Sequence, residues 1–251
     1  MLTLWKRYSI QIGLARKRPN RNKRQQMNAN QNFESTYDTL QSVIKTRRTM
    51  KVLAQLGGPV EILPEICEKN RPLVLDAIRD AGWAPFHYAR NLDSIAEPWR
   101  FHVLWHPACQ KIAGNFFDWF PDSKPNNKLP AMLSGCGALV VVTWLPQPGL
   151  SESAEKSQQI NEEHLAATAA ATQNLLLLLT ALGMGTYWSS GGQFRSPAMF
   201  DRLGIRAAER LLAAIFVEFP ETINSPLERL PGKHRSNRSN AEKWMRVVDV
   251  E

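Results

Sequence analysis

The sequence contains few cysteines and no long uninterrupted apolar run. Its 251 residues include three Cys, at positions 67, 109 and 136, and they form no CxxC pair. An odd, scattered set is not the pattern of a disulfide framework and favours reduced thiols in an intracellular protein. The most apolar stretch, residues 165–182, is interrupted by Thr, Gln and Asn, whereas a membrane span needs about 20 mostly apolar residues. We therefore expect a cytoplasmic protein with no stable membrane insertion.

Several common catalytic and nucleotide-binding motifs are also missing. The chain has no G-x-S-x-G, no Walker loop and no G-x-G-x-x-G after a predicted strand. A zinc pair at His102 and His106 is excluded because His102 lies on a predicted strand. Four residues of strand would separate the two side chains by about 13 Å, whereas ligands of one zinc each lie about 2 Å from it. His164 and His234 have no partner at ligand spacing, so we expect no metal site.

Acidic residues are missing from one end of the chain only. Residues 1–33 hold eight of the 31 Lys and Arg and none of the 23 Asp and Glu. The rest of the chain therefore carries 23 charges of each sign, and the net charge of +8 belongs to this arm. A nucleic-acid-binding domain needs a basic face, so we expect no nucleic-acid partner for the body.

The basic arm, residues 1–33, has three interpretations. It is a disordered, solvated tail, an Arg-rich targeting peptide for an organelle, or an upstream extension with the working start at Met27. We favour the solvated tail and place the folded domain at residues 34–251. A fourth hypothesis, that the arm binds nucleic acid or a membrane surface, has weaker support in the apolar residues 5–14.

Hydrophobic spacing and turn residues predict a mixture of helices and strands. A helix from about Ser35 carries Tyr37, Leu40, Val43 and Ile44 on one face. Pro72 and Pro107 are expected to open the next two helices, because proline suits a first helical turn. Residues 121–130 and 146–160 are expected to be loops, and Ser196 and Pro197 begin a short helix that ends at Gly204. Strands are predicted at 101–105, 138–144, 186–188 and 212–219.

The segment from His164 to Gly192 organises the rest of the chain. It predicts one long helix through Leu182 that carries small residues first and then Leu175 to Leu179. A helix without charge must be covered on nearly all sides. Gly183 and Gly185 suit a left-handed helix stop, and Ser189 to Gly192 offer hydroxyls and backbone amides to a polar ligand.

An arginine pair ends the first predicted helix. Arg47 and Arg48 are adjacent, so they cannot both point to one helix face. Cations near a helix C-terminus are favourable to the helix dipole without any ligand. Two guanidiniums beside the Thr49 hydroxyl also make a phosphate clamp plausible on chemical grounds.

Taken in order, five segments resemble conserved segments of the nitroreductase family. The arginine pair resembles the family's "RRS", Trp83-Ala84-Pro85 its "AP" segment, and Glu97-Pro98-Trp99 its "QPW". The helix "QNLLLLL" with "GMGT" after it, and the turn "WSSG", are similar to the family's "QNLLLAA", "GLGT" and "WRSG". The resemblance spans roughly residues 36–245 and points to the smaller bacterial branch.

The resemblance implies a fold, a cofactor and an assembly. The family has an α+β fold, in which a mainly antiparallel central sheet is flanked by helices. Its members form an intertwined homodimer with two FMN sites at the subunit interface. They pass hydride from NAD(P)H through the flavin to an electron-poor small-molecule acceptor, such as a nitroaromatic compound or a quinone. One shared site for both reactants implies ping-pong kinetics, and no catalytic side chain is assigned because hydride transfer to flavin needs no dedicated protein acid or base.

The resemblance also implies which residues bind FMN at its phosphate end. Arg47 and Thr49 would lie at the phosphate and ribityl chain, with Arg48 nearby. A late basic residue often binds the phosphate as well. We assign Arg238 to this role ahead of Arg235, because Arg238 precedes a helix-like segment at 241–247.

Other residues would contact the flavin rings. His87 would reach the FMN of the other subunit, and Trp188, Ser189 and Ser190 would lie along the flavin. Ser189 stands where the family has Arg, and this loss of charge motivates a second hypothesis, a flavin-binding sensor or carrier without turnover. Glu97 replaces a usual Gln, which predicts a carboxylate near the site, and the inserted residues 88–96 are expected to change substrate access.

Overall fold

A computed structural model describes residues 21–54, 62–148, 153–234 and 237–250, with side chains described from Phe33 onward. Contacts divide the chain into two units, residues 1–42 and 43–251. The first helix, α1, spans Arg21–Thr46. It begins well before the predicted start at Ser35, because residues 21–46 contain neither glycine nor proline. Residues 1–20 of the predicted disordered arm lie outside the described residues.

Within the first unit, α1 exposes an apolar face. Phe33, Tyr37 and Leu40 follow one another at spacings of four and three residues, so they share one side of the helix. Their exposed fractions are 75, 64 and 52%. This face is uncovered in the single chain.

The second unit is built on a four-stranded sheet. Its strands are β2 (Trp99–Trp105), β3 (Ala138–Trp144), β4 (Gly185–Ser189) and β5 (Arg210–Glu218). Their order is β2-β3-β5-β4, and every neighbouring pair is antiparallel. The predicted mainly antiparallel sheet of an α+β fold is therefore confirmed, and β3 has the predicted bounds.

A second, two-stranded sheet connects the end of α1 to the late part of the chain. It pairs β1 (Met50–Leu53) antiparallel with β6 (Glu228–Pro231). A parallel bridge between Thr49 and Thr186 joins this sheet to the edge of β4. The chain following α1 is thereby fixed beside the central sheet.

Helices cover both faces of the central sheet. The α2 helix (Pro64–Ala81) and α5 (Ala154–Ala181) pack on the face that carries Val140, Val142 and Ile215. Three further helices, α3 (His106–Trp119), α4 (Leu129–Gly135) and α6 (Pro197–Leu203), pack on the opposite face. Because both faces are covered, β3 is apolar on every residue from Ala138 to Val142, each fully buried.

Further predictions of local structure were wrong, including the helix-like segment at 241–247, where only a short 3-10 turn, Ala241–Lys243, forms. Pro72 lies inside α2, and Pro64 takes the first-turn position instead. The α5 helix begins ten residues before His164, because the Ser153 hydroxyl accepts a hydrogen bond from Lys156 N and caps it. Gly185 is not a left-handed stop but lies in β4, where an added Cβ would be 2.9 Å from a Glu218 carboxylate oxygen.

The predicted stops at Gly183 and Gly204 are confirmed. Both have positive φ, +76° and +65°, the left-handed region that favours glycine. The Ser196 hydroxyl accepts from Met199 N and caps α6 as expected.

A buried carboxylate stabilises one end of the central sheet. Glu209, 4% exposed, accepts hydrogen bonds from the Thr143 hydroxyl and from His102 Nε2, the latter at 2.8 Å. Burial acts to raise the pKa of Glu209, but these hydrogen bonds and the charges of His102 and Arg100 outweigh it and lower the pKa. The ionised form is therefore the form that stabilises the fold.

This predicts acid-sensitive stability. Because its folded pKa lies below the unfolded value, Glu209 contributes stability above about pH 4.5, and the contribution is lost as pH falls through the folded pKa. Glu209→Gln should lower the free energy of unfolding by about 1.5–3 kcal/mol at neutral pH, and by progressively less in acid. Denaturant unfolding between about pH 3 and 7 measures the difference, with the exposed Glu228→Gln as control. An equal loss at every pH would contradict this assignment.

Candidate functional site

A cleft of about 740 Å³ lies in the second unit, beside the end of α1. Its walls come from separate parts of the chain: the end of α1 and the start of β1, the residue before α4, Tyr187 of β4, and β6 with the turn after it. Ligand pockets in proteins are typically 300–1,000 Å³. The size of this cleft is that of a cofactor-binding site.

The described lining of the cleft is strongly positive. It holds seven cationic side chains and no carboxylate: Lys45, Arg47, Arg48, Lys51, Lys128, Lys233 and Arg238. Lys45 apart, none of them makes an ion pair with a described residue. Cations gathered without countercharge attract an anion.

Arg47 interacts with two other arginines of this charge cluster. Its Nη1 donates a hydrogen bond to the Thr49 hydroxyl at 3.4 Å, and the residue is half-buried. Burial, the charge of Arg238 and that of Arg48 together lower the pKa of Arg47. These causes show that like charges meet here, although arginine remains protonated at any physiological pH.

Arg48 has a different role from Arg47. Its Nη1 donates to the backbone oxygen of Lys45 and, at 3.1 Å, to that of Arg47. These are carbonyls at the end of α1, which lack partners within the helix. Arg48 therefore closes the helix terminus, as a cation near a helix C-terminus does, while it also lines the cleft.

Backbone contacts fix the wall of the cleft. Gly232 N donates to Thr49 O at 2.9 Å, immediately after the β1–β6 pairing. A Cβ at Gly232 would lie 3.1 Å from the Thr49 Cβ, so glycine permits this close approach. On the neighbouring wall, the Lys51 ammonium lies 4.9 Å from the centre of the Tyr187 ring.

The structure brings together four of the eight predicted site residues. Arg47, Arg48, Thr49 and Arg238 line the cleft. Arg235, the second choice for the late cation, lies outside the described residues. The other four predicted residues, His87, Trp188, Ser189 and Ser190, do not line the cleft in the single chain.

Trp188 lies on the opposite face of β4 from Tyr187. It packs with the α2 and α5 layer, whereas Tyr187 packs with the α3 and α4 layer, as alternation along a strand requires. The Ser189 hydroxyl accepts from Gly191 N at 3.1 Å, and Ser190 O accepts from Arg195 Nε at 2.7 Å. Both serines therefore help to shape the turn after β4.

His87 is exposed and belongs to the segment after α2. Its ring meets the Tyr88 ring edge-on, with centroids 6.2 Å apart. His164, buried in α5, holds this segment because its Nε2 lies 3.0 Å from Tyr88 O. The position of His87 is therefore set by the first half of the long helix.

The inserted residues 88–96 form a compact turn away from the cationic cleft. Asn91, Asp93 and Ser94 have positive φ, and Leu92 pairs with Ile95. Asp93 makes an ion pair with Arg206, which ties the turn to the segment before β5. The Glu97 carboxylate does not line the cationic cleft.

Most lining residues were not predicted as site residues, among them Lys51, Tyr187, Lys128 and Lys233. Lys51 and Tyr187 line the cleft because β1 and β4 meet at their edges, a long-range pairing without a local signal. Lys128 immediately precedes α4, in the segment 121–130 that was predicted to be loop. Lys233 belongs to a basic tail whose spatial neighbours no sequence spacing reveals.

Neither a metal cluster nor a membrane-spanning helix is found in the described parts of the chain. His102 and His106, four residues apart, have separate partners: His102 pairs with Glu209, and His106 Nδ1 lies 2.8 Å from Cys136 O. The two imidazoles therefore make separate contacts and do not face a common ligand position.

Fold and cleft together define an α+β protein with a cationic cleft at a sheet edge. The chain belongs to the nitroreductase family: the model of that family matches residues 71–217. The matched segment contains most of α2 and nearly all of the central sheet but neither Arg47 nor Arg238. Membership implies oxidoreductase activity for the protein.

Individual relatives are distant. The "Putative NAD(P)H nitroreductase YfhC" of Bacillus subtilis is 24% identical over 200 residues, covering 79% of this chain and 93% of that protein. A nitroreductase-like protein from Bacillus cereus is 21% identical, with a TM-score of 0.58 over 84% of this chain and 96% of its own. Nitroreductase CinD of Lactococcus lactis, solved with chloramphenicol, gives a TM-score of 0.59 at 13% identity, covering 83% and 98%. These similarities establish the shared fold.

The cleft predicts binding of simple anions. Inorganic phosphate should raise the Tm of the protein, because a ligand bound only to the folded state stabilises it. Arg47→Ala and Arg238→Ala should each remove most of the rise, whereas Lys111→Ala, on the exposed side of α3, should keep it. Thermal melts with and without phosphate measure the effect, and an equal rise in all four proteins would show that the anion binds elsewhere.

Proposed function

We propose that the protein is an FMN-dependent oxidoreductase that passes hydride from NAD(P)H to an electron-poor small molecule, a nitroaromatic compound or a quinone. The observation that carries this proposal is the cationic cleft without a carboxylate, in a chain of the nitroreductase family. FMN carries a terminal phosphate, and that phosphate is the anion the cleft would bind.

The residues present fit this cofactor at its phosphate end. Arg47 and Arg238 would contribute the charges and Thr49 a hydroxyl, since all three line the cleft and Arg47 is already oriented towards Thr49. A guanidinium matches the oxygens of a phosphate with two parallel N–H donors. Gly232 allows the backbone to approach closely at this end.

When bound, the flavin would supply the redox chemistry, accepting hydride from the nicotinamide and passing it to the acceptor in turn, a ping-pong scheme. The chain's contribution is to bind, orient and tune the cofactor. Lys51 and the other lining cations would favour negative charge in the cleft. No side chain is assigned a proton-transfer role.

A homodimer would complete the site. Among the described residues, apolar side chains are exposed on the face of α1, in the tail (Trp244, Val247 and Val250) and at Leu165 of α5. Trp244 is 72% exposed and Val250 91%. Burying such side chains contributes about 25 cal/mol per Å², and a second copy is the symmetric way to cover them. A partner would also bring its own His87 to the flavin, although His87 does not line the cleft of its own chain.

A second candidate, a flavin-binding sensor or carrier without turnover, is favoured by Ser189 alone. Its hydroxyl accepts from the backbone of the following turn, so no cation stands at this position to assist the reaction. Steady-state oxidation of NADH and NADPH, with a quinone and a nitroaromatic compound as acceptors, separates the two. Turnover with either acceptor supports the enzyme, and bound FMN without turnover supports the carrier.

The phosphate assignment predicts unequal roles for the two adjacent arginines. Arg47→Ala should raise the Kd for FMN about 10- to 100-fold, because a hydrogen bond to a charged group is worth about 1.5–3 kcal/mol. Arg48→Ala should have a much smaller effect, since that guanidinium is engaged by helix carbonyls. Flavin fluorescence titration of both variants measures the difference, and equal effects would contradict the assignment.

A further inference from the structure

The buried imidazole of His164 joins two segments that are distant in sequence. His164 lies in α5 and is 0% exposed. Its Nδ1 is 3.1 Å from Leu145 O, just after β3, and its Nε2 is 3.0 Å from Tyr88 O, in the segment after α2. Both ring nitrogens therefore face backbone carbonyl oxygens.

Packing alone does not explain a histidine at this position. Withdrawing an imidazole from water costs free energy unless its nitrogens find partners, whereas later turns of the same helix fill the core with Leu175, Leu176 and Leu179. In the described part of the chain, no backbone N–H donates to Tyr88 O or to Leu145 O. A neutral imidazole donates from one nitrogen and an imidazolium from both, so the bridge contains at least one hydrogen bond.

Tyr88 has a second attachment to α5. Lys156, about two turns before His164, donates from Nζ to the Tyr88 hydroxyl at 3.2 Å, and its ammonium lies 5.0 Å from the centre of the Tyr88 ring. A cation over an aromatic ring is attracted to it. One helix therefore holds both the backbone and the side chain of Tyr88.

His87, the residue before Tyr88, depends on this support for its position. Its ring is exposed and meets the Tyr88 ring edge-on. Neither residue belongs to a helix or a strand, so the hydrogen bonds of regular structure do not fix their backbone. A functional side chain on an irregular segment needs a rigid scaffold beneath it, and the contacts from α5 supply one.

We propose that His164 is a positioning residue: by holding Tyr88, it places His87 for contact with the flavin of the partner subunit. The inference rests on the proposed function, because that function gives His87 its ligand. His164 itself stays buried and touches neither cofactor nor substrate. Its second contact, Leu145 O, anchors the imidazole to the central sheet, since Leu145 N donates to Pro98 O at 2.8 Å beside the start of β2.

Amide hydrogen exchange of the protein without flavin tests the support itself. His164→Leu is apolar and has no donor, so peptides covering residues 83–90 should exchange about three- to tenfold faster than in the wild type, because local opening then breaks one hydrogen bond fewer. His164→Gln keeps an N–H and should restore much of the protection. Thr172→Val is the matched control, since it removes a buried hydrogen bond of α5 that does not involve this segment, and it should leave these peptides unchanged.

A double-mutant cycle on the FMN-loaded protein separates positioning from a general structural role. His164→Leu should lower kcat/KM for a quinone at least about fivefold in the wild type, but less than about twofold where His87 is already alanine. Lys156→Ala, which leaves the core intact, should shift exchange and kcat/KM in the same direction, so the test does not depend on the folding of one variant.

Two results would overturn the inference: an equal loss of kcat/KM with and without His87, or unchanged exchange of residues 83–90 in both His164→Leu and Lys156→Ala. A wild-type protein that binds no FMN would instead refute the proposed function itself.

Discussion

Three like-charged guanidiniums, those of Arg47, Arg48 and Arg238, lie close together beside the end of α1, and the proposed function depends on this arrangement. Arg47 is half-buried beside Arg238 and Arg48, and no described carboxylate lines the same cleft. The pairing of β1 with β6 and the hydrogen bond from Gly232 N to Thr49 O hold the segment after α1 against the late segment around β6. A fold that brings unpaired cations together loses stability through repulsion, and a bound phosphate removes that cost.

In the proposed function, one chain alone does not bring all the expected flavin contacts together. The phosphate end of the cleft is built by α1, β1 and β6, whereas Trp188 and His87 lie elsewhere on the central domain. The uncovered apolar side chains of α1 and of the C-terminal tail supply the surface on which a second copy would pack. Cofactor binding and subunit association are therefore linked in the function that we propose.

Much of the fold could be predicted from the sequence, because a strand that is buried on both faces of a sheet has a continuous apolar run. The run from Ala138 to Trp144 is apolar at nearly every position, and its strand was predicted to the residue. Helix starts were less predictable, since Pro72 fits inside α2 and a serine cap ten residues upstream of His164 begins α5. A local motif predicted the arginines as site residues. Lys128, Lys233 and Tyr187 were not predicted, because they come from separate parts of the chain that only the folded structure brings to the cleft.

The affinity for FMN compared with that for riboflavin tests the central claim most directly, because the two flavins differ only in the phosphate. If the cationic cleft binds that phosphate, FMN should bind at least about tenfold more tightly at physiological salt, and added salt should reduce the difference. Equal affinity for the two flavins, or binding of neither, would contradict the account.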